Sequence, residues 1–466
     1  MTISVGFAVL AAGKGTRLKL SGSKVLAPVS GRTLIDFAID SIDQLIENKG
    51  FHSVKGIVTG FERESVEQHI SSSRQGFSFA YQAEQLGTAH AVQTYLKQVP
   101  QSQNTDYTFI MCGDTPVITS EELARMWDFL SQNESCLGVC ATFEAADPTG
   151  YGRIIRGGNG FKITEQKDAS EQELAVTEVN SGLYLVRTEY LMKNIFNIDT
   201  NNKSGEFYLT DLFQQDQNVQ AMLFEDEDLF LGVNDLYQLQ KADRIIRWRK
   251  MRALREEGVR FIDLSHTYVE WDVEIEPGAC IYPNVVIEGK SKIAAHAVIE
   301  AGAIIKNSSV GEATKILAYS YLEEAIVEAN CSIGPFARLR PGADIGTESK
   351  IGNFVEVKKS KLHKGVKVSH LSYVGDAEIG DESNIGCGFI TCNYDGANKH
   401  KTTIGAGTFI GSDCQTVAPV TIGNDCFVAA GSTVTHSLND GDMAIARSRQ
   451  MTKEGLAKRF LKKKQK

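Results

Sequence analysis

The sequence lacks three features that would assign it to broad classes of protein. It has no excess of positive charge, since its formal net charge is −9, and this balance argues against general nucleic-acid binding. It has no long apolar run, because residues 5–12 are too few for a membrane span or a signal core. Residues 1–6 carry no basic stretch. We therefore expect a cytoplasmic protein with no nucleic-acid partner and no stable membrane association.

The cysteine spacing lacks the pattern of a zinc site. The nine cysteines are an odd number, and Cys136 and Cys140 are too far apart for a C-x-x-C pair and have no histidine cluster beside them. We expect most cysteines of the second half to be small buried residues in a reducing cytoplasm. The basic residues 458–464 are expected to form a solvated terminus.

The second half contains a six-residue repeat. One aliphatic residue recurs every six positions, a period that neither a helix nor a single strand gives. Hexapeptide repeats stack into a parallel β-helix, in which each repeat supplies a short strand, a turn and one inward side chain. The recurring residues are Ile275, Ile281, Ile287, Ile293, Ile299, Ile305, Ile333, Leu339, Ile345, Ile351, Val357, Ile422, Val428 and Val434.

Glycine often follows the inward residue of a repeat. We expect these glycines to supply the positive φ of a tight corner. The repeat is interrupted at residues 392–399, and such an insertion predicts a protruding loop, often on the binding face. The glycines are Gly346, Gly352, Gly380, Gly386, Gly405, Gly411 and Gly423.

The chain divides into three predicted segments. Residues 1–233 alternate buried strands with helical patterns, which favours an α/β domain with a largely parallel sheet. Residues 234–259 are predicted to form one long helix, a linker arm between domains. Residues 260–466 carry the repeats, which amount to about ten coils at three strands per coil.

A glycine-rich turn follows the first predicted strand, at residues 10–17. Its small residues would let backbone N–H groups approach an anion, and Lys14 and Arg17 add positive charge. The spacing matches neither G-x-G-x-x-G nor a Walker A loop. From these residues alone, a phosphate-binding turn and a plain tight turn are equally open.

Two oxygen-bearing side chains end apolar runs of the first segment. Asp114 follows a predicted strand and a glycine, and Asn234 follows residues 229–233. Such oxygens hold Mg²⁺ while the metal keeps phosphate and water ligands. The alternative is a turn or cap role for Asp114 and a helix N-cap role for Asn234.

Taken in order, the motifs of the first segment resemble those of the sugar-phosphate nucleotidyltransferases. Together with the repeats, they make nearly the whole chain similar to the bacterial bifunctional N-acetylglucosamine-1-phosphate uridyltransferase/glucosamine-1-phosphate acetyltransferases. The resemblance implies a Rossmann-like nucleotidyltransferase domain joined by a long helix to a left-handed parallel β-helix. The motifs are residues 10–17, 24–26, 82–89, 113–114, 151–153, Glu165, 180–182 and 232–234.

The resemblance implies that the first domain transfers a uridylyl group from UTP to N-acetylglucosamine 1-phosphate. Asp114 and Asn234 would hold Mg²⁺, and Arg17 and Lys24 would face the phosphates as catalytic cations. The uracil would contact Gln82, Gln85, Gly87 and Thr88, and the acetamido sugar would contact Gly152, Glu165 and Asn180. The remaining nucleotide contacts would be Leu10, Ala11, Ala12, Gly13, Lys24, Gly113 and Asn234. Cys112 and Ser23 depart from the family pattern, which usually has an aromatic residue and a proline there.

The resemblance also implies acetyl transfer from acetyl-CoA to glucosamine 1-phosphate in the repeat domain. His370 would take the proton of the attacking amine, a role that suits histidine near neutral pH. Arg340, Lys358, Tyr373, Asn384 and Lys399 would bind the sugar phosphate. Cys387, Asn393, Tyr394, Ser412, Ala430 and Arg447 would bind acetyl-CoA. A homotrimer with sites shared between chains is implied as well.

Together these expectations describe a bifunctional transferase that makes UDP-N-acetylglucosamine for cell-envelope precursors. Two alternatives stay open at this point. One is a related nucleotidyltransferase whose repeats no longer acetylate, and the other is a non-catalytic regulatory subunit with the same two-domain plan. The charged set in the first domain speaks against the second alternative, because a sensor does not need metal ligands.

Overall fold

A computed structural model describes residues 3–157, 160–213 and 218–461. The chain forms two compact units, 1–246 and 247–466. Within the described ranges, no helix is long and apolar enough to cross a membrane. Residues 462–464 of the predicted basic terminus lie outside those ranges.

The first unit contains a twisted sheet with helices packed against it. Its strands are β1 Ser4–Ala11, β2 Pro28–Val29, β3 Arg32–Thr33, β4 His52–Thr59, β5 Phe77–Tyr81, β6 Tyr107–Cys112, β7 Gly138–Glu144, β8 Arg153–Gly157, β9 Gly160–Thr164, β10 Glu178–Arg187 and β11 Val219–Phe224. Its helices are α1 Leu34–Lys49, α2 Arg63–Ser73, α3 Thr88–Gln98, α4 Ser120–Gln132, α5 Glu171–Leu174 and α6 Thr188–Asn194.

The main sheet has the order β11-β7-β10-β6-β1-β4-β5. Strand β1 lies parallel to both β4 and β6, and β10 is antiparallel to its neighbours β6 and β7. Hairpin β8–β9 joins this sheet through β10. The carboxyl ends of β1 and β6 therefore meet at one edge, where ligands bind in sheets of this kind.

Local signals define the helices of the first unit. Thr33 precedes α1 and donates its backbone N–H to Asp36 Oδ2 over 3.0 Å, and Gly50 ends the helix at φ 67°. Thr119 accepts the N–H of Glu121 at the start of α4, at 3.2 Å. Each contact satisfies a backbone group that the helix itself leaves free.

A further helix, α7, runs from Leu236 to Glu256, over 21 residues. It corresponds to the predicted linker helix. The boundary between the compact units falls within it, between Ile246 and Arg247. The predicted division into 1–233, 234–259 and 260–466 stays a prediction.

The repeats form a parallel β-helix with three walls in residues 260–444. The first wall contains Arg260–Phe261, Cys280–Ile281, Val298–Ile299, Lys315–Ile316, Ser332–Ile333, Lys350–Asn353, Lys367–His370, Asn384–Ile385, Phe409–Ile410, Phe427–Val428 and Met443–Ala444. The second contains Tyr268–Val269, Val286–Glu288, Ile304–Lys306, Tyr321–Glu323, Arg338–Leu339, Glu356–Lys358, Tyr373–Gly375, Ile390–Cys392, Gln415–Val417 and Thr433–Val434. The third contains Glu274–Ile275, Lys292–Ile293, Ser309–Val310, Ile326–Val327, Ala343–Ile345, Ser360–Leu362, Ala377–Ile379, Thr402–Ile404 and Val420–Ile422.

Every aliphatic residue of the predicted six-residue repeat is buried in the core of the β-helix, from Ile275 to Val434. This outcome confirms that the recurring aliphatic side chain of each repeat points inward. The expectation for the cysteines was only partly right. Cys331, Cys414 and Cys426 are buried, but Cys392 is exposed.

The prediction for the repeat glycines was wrong. None of the seven has the expected positive φ, which falls instead at other corner residues such as Glu348 and Phe354. The glycines are required by close approach of the next coil. A Cβ on Gly346 would lie 2.7 Å from the carbonyl carbon of His363, and one on Gly386 would lie 2.5 Å from that of Gly411. Any side chain there would push the coils apart.

The predicted insertion lies between the second and third walls, after Cys392. His400 N–H donates to the carbonyl of Asn393 over 2.8 Å and closes the inserted segment. Inside it, Asp395 accepts the N–H groups of Ala397 and Asn398 at 2.8 Å and 2.6 Å. These hydrogen bonds to backbone N–H groups give the loop a defined shape.

Candidate active sites

The first unit has a cavity of about 290 Å³ at the carboxyl ends of β1 and β6. Gly113 N–H donates to the carbonyl of Leu10 over 2.9 Å and holds the two strand ends together. The cavity brings together most of the predicted nucleotide contacts. Its lining residues are Leu10, Ala11, Ala12, Gly13, Lys24, Val25, Gln82, Gln85, Gly87, Thr88, Ala91, Cys112, Asp114 and Glu206.

Two oxygen-bearing side chains converge on one cation at the wall of this cavity. The Lys24 ammonium is ion-paired with Asp114 and donates to Asn234 Oδ1 over 2.9 Å. Lys24 lies under Gly15, where a Cβ would lie only 2.5 Å from the lysine Cβ. The three predicted residues thus form one polar cluster with oxygens directed at a positive charge.

The backbone brings Asn234 to this cluster. Val233 N–H donates to the carbonyl of Asp114 over 3.0 Å. The N-terminus of α7 is capped by Asp235, which accepts the N–H of Gln238 at 2.8 Å. The amide of Asn234 is therefore engaged with Lys24 rather than with the helix, contrary to the N-cap alternative.

One end of the cavity is closed by amide side chains. Gln85 Nε2 donates to the carbonyl of Ala12 over 2.8 Å. Gln82 Nε2 donates to the carbonyl of Gly87 at 3.2 Å and to His90 Nδ1 at 3.0 Å. These bonds fix two side chains that carry both donors and acceptors, as recognition of a nucleobase edge requires.

The predicted sugar-binding residues form a second group beside β8 and β10. Asn180 N–H donates to the carbonyl of Gly152 over 2.9 Å, and the Asn180 amide donates to the Tyr184 hydroxyl at 2.6 Å. The Glu165 carboxylate accepts from Thr210 at 3.2 Å. Burial raises the pKa of Glu165, an effect that nearby carboxylates increase.

Cys112 lies between this group and the cavity. Its sulfur is 3.7 Å from the position of a Cβ on Gly182. Burial raises the pKa of the thiol to about 12, and the Asp114 carboxylate adds to this effect while Lys24 opposes it. Cys112 is therefore a small neutral group at the wall of the cavity.

Arg17 is not among the residues that line the cavity. It lies exposed on a short 3₁₀ helix, Thr16–Leu18, that follows the glycine-rich turn. The structure therefore places one of the two predicted catalytic cations, Lys24, within the cluster and the other outside the cavity wall.

In the repeats, one group of predicted residues lies where the second wall turns into the third. Arg340 Nη1 donates to Glu356 over 2.8 Å. The ammonium of Lys399 lowers the pKa of Lys358, so the two cations lie close together. Lys358 pairs in register with Gly375. The Tyr373 ring covers that glycine, because a Cβ on Gly375 would lie 2.6 Å from the ring carbon Cζ of Tyr373.

Lys399 also lines a cavity of about 500 Å³ along the third wall. Asn393 begins the inserted loop and is anchored by a hydrogen bond from its amide to Asp376. Tyr394 is exposed, and its hydroxyl donates to the carbonyl of Gly396 over 2.6 Å. Arg340, Lys358 and Lys399 together form a cationic surface suited to a phosphate.

A second group lies where the first wall turns into the second, the first–second corner. His370 ends a strand there, and its Nδ1 lies 2.7 Å from Asn353 Oδ1 on the preceding coil. The amide oxygen only accepts, so this hydrogen bond places the proton on Nδ1 and leaves Nε2 free to accept another.

Later coils place small residues at the first–second corner. Asp413 N–H donates to the carbonyl of Cys387, and Gly431 N–H donates to that of Ser412, so these corners stack directly. Arg447 donates to the carbonyl of Ala430 over 2.8 Å. Asn384 lies on the first wall, paired with Lys367 and Phe409.

The predicted acetyltransferase residues thus lie at two different corners of one chain. His370 and the predicted acetyl-CoA residues Cys387, Ser412, Ala430 and Arg447 share the first corner. The corner where the second wall turns into the third carries the other predicted residues, namely Arg340, Lys358, Lys399, Asn393 and Tyr394.

Four residues with direct contacts to these groups were missed in the sequence. Asn353 is hydrogen-bonded to His370, and Glu356 is hydrogen-bonded to Arg340. His90 is hydrogen-bonded to Gln82. Glu206 lines the cavity of the first unit. Only the spacing of Asn353, 17 residues before His370, gave a usable signal, because 17 residues is the length of one coil at that point.

Three protein families match parts of the chain. The nucleotidyl transferase family matches residues 8–250, the GMPPB C-terminal domain matches residues 265–343, and the bacterial transferase hexapeptide (six repeats) matches residues 401–436. The first match coincides with the unit that holds the nucleotide cavity, and the last lies in the β-helix.

Curated relatives match almost the whole chain. A bifunctional protein GlmU from Pelobacter propionicus is 42% identical over 466 residues, with 99% of each chain covered. The GlmU protein of Shouchella clausii is 40% identical, with 97% of this chain and 98% of the relative covered. That of Clostridioides difficile is 39% identical, with 96% of each covered.

These findings confirm three predictions: the family, the fold class, and the assignment as a bifunctional transferase. The fold is a nucleotidyltransferase domain with a mostly parallel sheet, followed by a β-helix of hexapeptide repeats. The chain therefore belongs to the family of bifunctional GlmU proteins.

Proposed function

We propose that this protein makes UDP-N-acetylglucosamine in two steps. The repeats transfer an acetyl group from acetyl-CoA to glucosamine 1-phosphate, and the first domain transfers a uridylyl group from UTP to the product. The observation that carries the proposal is the cluster of Lys24, Asp114 and Asn234 beside the cavity at the glycine-rich turn. A regulatory subunit has no need of such a charged cluster.

In the uridylyl step, a phosphate oxygen of the sugar 1-phosphate attacks the α-phosphorus of UTP, and pyrophosphate leaves. The nucleophile is already an anion, so the domain acts by positioning its substrates and neutralising their charge. Lys24 is placed to face phosphate oxygens. Gln82 and Gln85 orient the uracil, and Asn180 and Glu165 hold the sugar.

The residues of the cluster fit a magnesium ion. Asp114 and Asn234 already direct oxygens at a common cation, and a carboxylate with an amide oxygen suits Mg²⁺ when phosphates complete its ligands. Among the described residues, no group of three or more His, Cys, Asp or Glu side chains forms a metal site. A bound Mg²⁺ would supply charge neutralisation on the phosphates.

In the acetyl step, the amine nitrogen of glucosamine 1-phosphate forms a bond to the thioester carbon, and the carbon–sulfur bond breaks. His370 Nε2 accepts the amine proton, and the thiolate of CoA leaves. Asn353 holds the imidazole through Nδ1. Arg340, Lys358 and Lys399 bind the sugar phosphate, with Tyr373 and Asn384 beside them.

We propose a homotrimer in which the two corners of neighbouring chains complete each acetyltransferase site. The separation of His370 from Lys358 by a whole wall supports this arrangement, because each corner carries half of the expected groups. Flat walls also suit closed threefold packing. We place the protein in the cytoplasm, since all nine cysteines are free thiols, as in a reducing compartment.

Two substitutions test the two activities separately. Asp114→Asn removes the carboxylate of the cluster and is expected to lower uridylyl transfer by about 100-fold or more, the effect of losing one key electrostatic group. Acetyl transfer should stay within about twofold of wild type. His370→Ala should lower acetyl transfer by about 100-fold or more and leave uridylyl transfer within about twofold of wild type.

The pattern of losses separates this proposal from its rivals. If wild type acetylates nothing while uridylyl transfer is normal, the repeats act as a scaffold. If UTP binds without any turnover, the regulatory-subunit alternative is correct. Loss of both activities in His370→Ala, with an unchanged circular dichroism spectrum, would contradict independent sites.

A further inference from the structure

A histidine outside the cavity of the first unit holds one of the amide side chains that line it. Gln82 lines the cavity and is only 4% exposed. His90 lies in the first turn of α3 and is not among the described residues of the cavity wall. Its Nδ1 nevertheless lies 3.0 Å from Gln82 Nε2. His90 therefore reaches the cavity through Gln82.

The neighbours of Gln82 fix which way its amide points. The carbonyl of Gly87 can only accept a hydrogen bond, so the Gln82 atom 3.2 Å from it is the NH2 nitrogen. The same nitrogen faces His90, so Nδ1 accepts the second amide proton and the imidazole carries its own proton on Nε2. Both N–H groups of the Gln82 amide are therefore used inside the protein.

Fixed elements hold the two side chains at this separation. Gln82 N–H donates to the carbonyl of Thr59, at the end of β4, over 2.8 Å. The His90 carbonyl accepts from the Thr94 hydroxyl at 2.7 Å within α3. The imidazole lies beside the Phe207 ring, with ring centroids 6.3 Å apart. The contact between Gln82 and His90 is thus set from both sides by the backbone.

The oxygen of the Gln82 amide is left for a ligand. Within the ranges that the structure describes, no group donates to Gln82 Oε1. Since the side chain lines the cavity and its nitrogen is turned to Gly87 and His90, the oxygen is the atom that remains to face a bound base. Gln82 therefore presents an acceptor and no donor.

This orientation distinguishes uracil from cytosine. The N3 atom of uracil carries a hydrogen and donates, whereas N3 of cytosine carries a lone pair and accepts. Gln82 Oε1 can pair with the N3–H of uracil, while cytosine would set two acceptors against each other. A site built to hydrogen-bond one ligand rejects an analogue that leaves its polar group unpaired.

We propose that His90 is a positioning residue that makes the uridylyl site select uracil over cytosine. Its Nδ1 takes the second amide proton of Gln82 and so keeps Oε1 turned toward the base. Without this acceptor, one N–H of a buried amide has no partner, and the amide gains by turning that N–H toward the cavity, where it can donate to cytosine N3. The inference rests on the proposed uridylyl transfer and adds the residue that sets its base selectivity.

The test compares UTP and CTP as nucleotide donors to N-acetylglucosamine 1-phosphate, using the purified full chain. Wild type should prefer UTP by about 100-fold or more in kcat/KM. His90→Leu removes the acceptor and should lower that preference by about tenfold. The change should appear mainly in KM for UTP, because Lys24 and its partners at the phosphates are untouched.

Two further variants control this measurement. In His90→Asn, Oδ1 is bonded to Cγ as Nδ1 is in histidine, so an acceptor is restored at the same place. The preference for UTP should then lie within about threefold of wild type. His52→Leu replaces an exposed histidine at the start of β4 and should leave the preference unchanged.

Three results would overturn the inference. His90→Leu could lower kcat/KM for UTP and CTP by the same factor, which is the effect of a purely structural residue. His90→Asn could behave like His90→Leu, which would show that the acceptor is not what matters. Wild type could use CTP as well as UTP. Failure of the proposed function is distinct, because wild type would then transfer no nucleotide from either donor.

Discussion

Replacement of Gly87 by alanine should damage the uridylyl site alone. Gly87 has φ 123° and ψ 174°, a backbone conformation open essentially to glycine. A Cβ there would lie 2.7 Å from the backbone nitrogen of Phe207 and closer still to its carbonyl oxygen. That carbonyl accepts the N–H of Ala89 at 2.9 Å, and the neighbouring Glu206 lines the cavity.

The structure gives the size of the effect. The strained conformation costs about 1–3 kcal/mol for a residue with a side chain, and the loss of the Ala89 hydrogen bond adds about 1 kcal/mol. A total of about 2–4 kcal/mol is shared between the folding of the domain and the binding of UTP. If about 2 kcal/mol falls on binding, KM for UTP rises about 30-fold.

The assay is steady-state uridylyl transfer over a range of UTP concentrations, with acetyl transfer by the same sample as an internal reference. Gly50→Ala is the matched control, because Gly50 also has positive φ, at 67°, but has no atom within 4 Å of its Cβ position. It should lower stability by about 1 kcal/mol and leave KM unchanged. An unchanged KM and midpoint of unfolding in Gly87→Ala would refute the reasoning.

Three further outcomes are expected. The hydrogen bond with Asp36 raises the pKa of His69, against the effect of burial. The stabilisation that the protonated histidine gives is therefore present below the unfolded-state pKa and is lost as the pH rises through the folded-state pKa. The urea midpoint of His69→Gln should differ from that of wild type more at pH 6 than at pH 9. Asn353→Ala should lower kcat of acetyl transfer about tenfold, since the hydrogen bond that orients His370 is lost, with no change in uridylyl transfer. Tyr184→Phe should raise KM for the sugar phosphate about fivefold, because the 2.6 Å hydrogen bond from the Asn180 amide to the Tyr184 hydroxyl is lost. An unchanged KM would show that Tyr184 does not contribute to sugar binding.

The architecture of the second half follows from its sequence because the six-residue period has one structural solution. Ile281 and Ile299, for example, are buried on successive coils of the first wall, as the period requires. The structural reason for the repeat glycines could not be predicted from the sequence in the same way. Gly346 and Gly386 need to be small because the next coil approaches them, and that contact is defined only once the coils are stacked.

The cation cluster was accessible through the resemblance, since Lys24, Asp114 and Asn234 each end or follow a recognisable motif. The hydrogen-bond partners of the predicted residues in the β-helix were less accessible. Asn353 pairs with His370 because the coil there has 17 residues, whereas Ile333 and Ile351 are 18 apart in register. A one-residue change in coil length decides which side chains meet, and composition does not reveal it.

The separation of the predicted acetyltransferase residues into two corners could not be predicted from motif order. Lys358 and His370 are only 12 positions apart in the sequence, yet they end strands of different walls. The intervening turn of the β-helix places them on different edges. The sequence distance therefore says little about whether one chain can complete the site.

The central claim is that one polypeptide carries both transferase steps. The most direct test is a single mixture of the purified protein, glucosamine 1-phosphate, acetyl-CoA, UTP and Mg²⁺, assayed for UDP-N-acetylglucosamine while each component is left out in turn. We expect product in the complete mixture and none when any component is missing. Product that forms only when N-acetylglucosamine 1-phosphate is supplied would contradict the acetyltransferase half, and no product under either condition would contradict the whole.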